Sequence, residues 1–266
     1  MELDLSFHMH WDVLGIVLAL GVGYTYGLRL LMPTLAPRGE VAVTRRQRIL
    51  FFSGLGLMAV VTSWPVHDIG SESLFMFHMT EHMVLALGVP PLLLLGTPWW
   101  LLRALVAPIL PLIRFATRPL VALVAFNVTL AALHAPGVVE LMVTNSLFHF
   151  AAHSILLVTA VQMWWPVVGP IPDTPRLEPF PRMGYLFLQS LVPTVPASFL
   201  TLSEKPLYKI YETLPRLWDI SPLTDQTVAG LIMKLGGGAV LWTAIAITFF
   251  SWVADDERAA VAASHT

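Results

Sequence analysis

The chain has 266 residues, 56% of them hydrophobic and only 12% charged, with a net charge of −2 and no cysteine. Soluble domains carry about 25% charged residues, so this chain has too little charge to cover a surface facing water and is expected in a membrane. The same figures exclude a disordered chain and a nucleic-acid binder, and the missing cysteines exclude disulfides, thiolate metal sites and cysteine nucleophiles.

A spanning helix needs about 20 mostly apolar residues. The first such stretch is 11–32, preceded by His8, Met9 and His10 and rich in glycine (Gly15, Gly21, Gly23, Gly27). The acidic start Met1-Glu2-Leu3-Asp4 lacks the positive charge of a cleavable signal peptide. A link with Arg38, Arg45, Arg46 and Arg48 leads to the second stretch, 49–65, which is followed by His67 and Asp68. The third stretch, 74–95, holds His78, Glu81 and His82. Residues 99–115 are apolar too, but Pro108 and Pro111 interrupt them and Arg103 and Arg114 charge them. That segment is expected as an interfacial helix or hairpin. The fourth stretch, 120–134, starts after Arg118-Pro119 and ends at His134. The fifth, 145–167, opens with His149 and His153. The sixth is 183–202, preceded by Arg176 and Arg182. A link of mixed charge precedes the seventh, 227–252, which contains Lys234 and Gly236-Gly237-Gly238. With no repeat and no low-complexity linker, residues 1–266 read as one all-α domain with seven transmembrane helices.

The basic residues set the expected orientation. Links 1–2, 3–4 and 5–6 hold Arg, whereas links 2–3 and 4–5 hold Asp68, Glu72 and Glu140 and no Lys or Arg. Cytoplasmic loops are the basic ones, so the N-terminus is expected outside and the C-terminus inside.

The histidines carry the chemistry. His78 and His82 are spaced i, i+4, and so are His149 and His153. That spacing puts two side chains on one helix face, about 6 Å apart along the axis. Counted from the outer helix ends, His78 and His82 lie about 9 and 15 Å deep, and His149 and His153 about 7 and 13 Å deep. His134, His67, His8 and His10 fall on the same side, and only His265 falls on the other. One membrane histidine is commonly an interhelical hydrogen-bonding group. Two matched pairs point instead to a metal or cofactor, because ionisable groups in a bilayer are costly and usually functional. Imidazole suits Cu, Zn, Fe and Ni, and thioether selects Cu(I). With no oxygen-rich cluster nearby, copper is favoured. Met79 and Met83 adjoin the first pair but point about 100° away from it, so they flank the site or pack as core. Glu81 and Lys234 lie at about equal depth, 13 and 15 Å, which permits an ion pair between them.

These features resemble the CtaG-like cytochrome c oxidase assembly factors of the seven-helix membrane type. The resemblance rests on Phe77-His78-Met79-Thr80-Glu81-His82-Met83, the following Pro90-to-Pro98 run, Arg118-Pro119 and Leu133-His134-Ala135-Pro136. It continues through His149 and His153 with Trp164-Trp165-Pro166-Val167, then Pro206-Leu207-Tyr208 and Asp225-to-Met233. Leu133 replaces the family's Trp, and Glu81 and Lys234 depart from its usual residues. The resemblance implies a non-enzymatic assembly factor of the bacterial inner membrane, in contact with lipid, oxidase subunits and a periplasmic or extracellular copper donor. It implies copper supply through His78, His82, His149 and His153, with His134 as a further ligand. Asp225 and Gln226 are then expected to orient a ligand imidazole, or Asp225 to cap its own helix. The competing readings are a haem b electron-transfer protein, a non-haem di-iron oxygenase and a metal-free scaffold.

Overall fold

In an apolar medium every backbone N–H and C=O must bond within the chain, and helices satisfy this locally. The protein obeys that rule. The computed structural model describes residues 7–39 and 41–264, all helix and connecting loop with no strand among them. The acidic Met1-to-Asp4 start and His265 lie outside the described residues.

Helix α1 is Trp11–Leu35. Helix α2, Arg45–Val61, starts at a capping box in which Thr44 and Gln47 bond reciprocally. A short α3, Val66–Glu72, follows. The third span is α4 (Phe75–Met83), a π turn (Val84–Gly88) and α5 (Val89–Gly96). Then come α6 (Trp99–Val106), a tight turn and α7 (Leu110–Ala116). Helices α8 (Pro119–Leu133) and α9 (Pro136–Thr144) are followed by α10 (Ser146–Val168). Helices α11 (Pro179–Leu191), α12 (Thr194–Leu202) and the single turn α13 (Ile210–Thr213) precede α14 (Pro222–Leu231). A second π turn (Ile232–Gly236) joins α14 to α15 (Gly237–Ser264).

Seven helical stretches are long and apolar enough to cross a membrane: Trp11–Leu35, Arg45–Glu72, Phe75–Gly96, Trp99–Ala116, Ser146–Val168, Pro179–Leu202 and Pro222–Ala263. The count matches the sequence expectation, but its membership differs. The expected fourth span, 120–134, is only the 15-residue α8, and the chain then turns by 71° into α9. Pro136 suits the first turn of a new helix but cannot continue the old one. Trp99–Ala116 qualifies by length and composition, yet both its ends lie at one end of the bundle. Trp100 Nε1 donates to Ala42 O in the α1–α2 loop at 2.8 Å, and Ala116 O accepts from Gln162 near the end of α10 at 2.7 Å. Arg103 and Arg114 both bind Asp173 in the α10–α11 loop. Their guanidinium groups hold the Asp173 carboxyl below its ordinary range, the Arg103 hydrogen bond contributing most. The segment therefore lies across the basic end, as an interfacial helix would. The last span is longer than expected, with α14 added before residue 227.

Large apolar side chains point outward along the spans, among them Leu147 (76% exposed), Phe180 (75%) and Leu202 (80%). In water these would be sticky patches; in a bilayer they meet lipid. The third span is central, with 56% of its most apolar stretch buried against 11% for α1. Buried polar groups are paired between helices. Asn127 donates to Gln189 at 2.7 Å, Gln189 to Tyr185 at 3.0 Å, and Tyr185 to the Met163 carbonyl at 2.9 Å. This chain ties α8, α11 and α10 together without exposing a polar group to lipid.

Candidate metal centre

The site forms at the end of the bundle opposite Arg103 and Arg114. Its scaffold begins at Gly70 in α3, where a Cβ would stand 2.7 Å from His78 N. Only glycine lets α3 approach α4 this closely. Tyr211 Oη donates to the Gly70 carbonyl at 3.1 Å. Burial raises the Tyr211 and Tyr208 hydroxyls above their ordinary range, and nearby Asp225 adds to this for Tyr211, so both remain protonated donors. Tyr208 Oη donates to His134 O at 2.9 Å.

Asp225 fixes the start of α4. Its carboxylate is fully buried and accepts from Phe75 N at 2.9 Å and Met76 N at 2.8 Å. Arg216 supplies the countercharge at 3.0 Å and also donates to Ser73 O at 2.9 Å. So Asp225 neither orients an imidazole nor caps its own helix, which Ser221 caps instead. It caps, from across the fold, the helix that carries His78 and His82. Gln226 accepts from Leu207 N at 2.6 Å and donates to Leu200 O at 3.2 Å. It pins the α12–α13 loop and touches no histidine.

The two predicted histidine pairs meet. Ring centroids are 4.2 Å apart for His78–His82, 4.3 Å for His149–His153 and 4.7 Å for His82–His153. His78 stands 5.5 Å from His149. The set also includes His67, which the sequence reading placed nearby but did not use as a ligand. Its ring is 5.1 Å from His149 and 6.1 Å from His153. The expected second stretch ends at Pro65, yet the span continues through α3 to Glu72 and brings His67 to the cluster. The only advance signal was its place on the same side as the other histidines.

Glu81 sits at the centre and is fully buried. Its carboxylate accepts from His67 Nδ1 at 3.1 Å and faces His153 Nδ1 at 3.3 Å. The Glu81–Lys234 pair is therefore not formed, and Lys234 is exposed in the second π turn. Glu81 has nearer hydrogen-bonding partners in the imidazoles, and a lysine at a bundle surface reaches outward more cheaply than it desolvates.

Hydrogen bonds fix which imidazole nitrogen is left for a ligand. His149 Nδ1 donates to Met142 O at 3.2 Å, and His134 Nδ1 to Leu130 O at 2.6 Å. With Nδ1 of His153 held by Glu81, the Nε2 atoms of His134, His149 and His153 are buried and unpartnered. His78 Nδ1 and His82 Nε2 are in the same condition. Buried polar atoms are normally satisfied, and five imidazole nitrogens in one region left open is the pattern of a metal site. Two trios have ligand atoms within 4.8 Å of one another: His67, His149 and His153, and His78, His82 and His153. His134 belongs to neither. Met79 and Met83 pack against the apolar core.

The first π turn starts two residues beyond His82. It widens the helix, and Trp164 Nε1 donates to the Ala86 carbonyl there at 3.1 Å. Such turns recur at functional sites.

The chain is 25% identical over 272 residues to an uncharacterised protein of Mycobacterium bovis and equally to one of Mycobacterium tuberculosis. Each alignment covers 92% of this chain and 39% of the relative, so the chain spans about two fifths of their length. No solved structure matches. The profile of the cytochrome c oxidase caa3 assembly factors (Caa3_CtaG) matches residues 22–255, which take in all five residues of the two trios and Glu81. The chain belongs to that family of cytochrome c oxidase assembly factors.

Proposed function

We propose that this protein binds copper through the buried histidines and supplies it to a metal centre of a haem-copper oxidase during assembly. The observation that carries the reading is the set of unpartnered imidazole nitrogens around Glu81. Three imidazoles per trio and no oxygen-rich cluster suit a borderline metal, and the family's role makes copper the cargo. Glu81 favours a monovalent ion, because one carboxylate balances one positive charge inside an apolar bundle.

The protein would act as a single, non-catalytic domain in the inner membrane. Basic loops favour the cytoplasm, which supports a reading with the N-terminus and the metal site on the outer side, where a periplasmic or extracellular donor delivers copper and oxidase subunits receive it. A haem is disfavoured, because imidazole rings 4.2 to 5.6 Å apart leave no room for a macrocycle between them.

The test is metal analysis of the purified protein beside the His82→Ala/His149→Ala variant, together with oxidase copper content in cells carrying each. Copper bound by the wild type and lost from both the variant and the oxidase is expected. Wild-type protein without copper, or an oxidase fully loaded in the variant strain, points to a metal-free scaffold.

A further inference from the structure

The two trios share His153 and differ in exposure, chiefly through His67, and this arrangement suggests order. His78 and His82 are 2% and 4% exposed. The side chain of His153 is 12% exposed, that of His67 21%, that of His10 22% and that of His8 55%. Neighbouring members of this series are close. His10 stands 5.1 Å from His67, His67 6.1 Å from His153, and His153 4.7 Å from His82, ring to ring. Asp68 lies at the shallow end, where it accepts from His10 Nε2 at 2.6 Å and faces His8 Nδ1 at 3.9 Å.

We infer that the site is a two-station relay, loaded from the face formed by His8, His10 and Asp68. This rests on the copper-binding reading above. The shallow station is His67, His149 and His153, and the deep station is His78, His82 and His153. Glu81 engages His153 at Nδ1, leaving Nε2 as its one ligand atom. His153 therefore serves one station at a time, and filling the deep station empties the shallow one. A copper ion moves inward by exchanging His67 and His149 for His82 and His78 while His153 stays bound. No proton or electron need be transferred, since imidazole is replaced by imidazole. The carboxylate of Asp68 draws a cation to the mouth and releases His10 to contact it.

The full chain in detergent is titrated with Cu(I) against a coloured competing chelator, and loading is followed by stopped flow. The wild type is expected to bind one Cu(I). His67→Ala is expected to keep that stoichiometry and an affinity within a few-fold, because the deep station is intact, while loading slows by about tenfold or more. His78→Ala/His82→Ala is expected to bind one Cu(I) that the chelator removes about tenfold faster or more. His153→Ala is expected to lose both behaviours. His10→Ala/Asp68→Asn, which removes no member of either station, is expected to slow loading alone, and its retained stoichiometry shows that the fold survives. Two Cu(I) ions per wild-type chain, or His67→Ala loading at the wild-type rate, overturns the relay and leaves the copper-binding reading standing. Absence of any Cu(I) binding by the wild type overturns that reading itself.

Discussion

Glu81 is the residue on which the chemistry turns, and its partners are two imidazoles. A carboxylate behind a ligand histidine fixes the ring and raises its basicity, and losing such a partner costs 10- to 100-fold in metal affinity. Glu81→Gln is therefore expected to weaken Cu(I) binding by about 10- to 100-fold. Lys234→Met, at an exposed lysine, is expected to change stability by less than about 0.5 kcal/mol and to leave affinity unaltered. Competition titrations and thermal melts of the two variants separate these effects. Asp225 has a different part to play. It carries the Arg216 ion pair and two backbone caps in a buried place. Removing one partner of a buried pair costs about 3–5 kcal/mol, so Asp225→Ala is expected to lower the melting temperature strongly, whether or not metal is present. The family resemblance brought out Asp225 as important but not its role, because the N–H groups it caps belong to a helix some 150 positions away.

At the scale of elements, the histidine pairs were legible because i, i+4 spacing on an apolar helix is a local signal. The break between α8 and α9 was legible as Pro136, but its consequence was not. A nine-residue helix lying at 71° to its neighbour is set by packing, which a hydropathy window does not see. His67 escaped for the same reason, since its inward turn depends on the contact between α3 and α4. That contact is testable. At Gly70 a Cβ would meet the His78 backbone at 2.7 Å, whereas at Gly15 nothing lies within 4 Å. Overpacking of this kind costs about 1–3 kcal/mol. Gly70→Ala is expected to lower both the melting temperature and Cu(I) affinity, with Gly15→Ala close to wild type in both. The π turn makes a parallel case. Trp164→Phe leaves the Ala86 carbonyl without its indole donor, and an unsatisfied buried group costs about 1–3 kcal/mol. Reduced thermal stability with an unchanged copper stoichiometry is the expected result.

For the whole molecule, composition alone dictated a helical membrane protein, and low charge made the arginine positions informative. Arg103 and Arg114 lie at one end of the bundle and the imidazoles at the other, where Arg216 is neutralised by Asp225, so the two ends differ chemically as well as electrostatically. Metal binding needs neutral imidazole, and protons compete for the same nitrogens. Apparent Cu(I) affinity is therefore expected to fall as pH drops through the histidine range and to recover as it rises. Competition titrations from pH 8 down to about 5.5 check the sign. The account's central claim is that the two histidine pairs and His67 form one buried copper site. Copper per polypeptide in the purified wild type and in His153→Ala, the variant that removes the ligand common to both trios, tests this most directly. One copper per wild-type chain and almost none in the variant is the result the account predicts. Equal copper in the two proteins would contradict it.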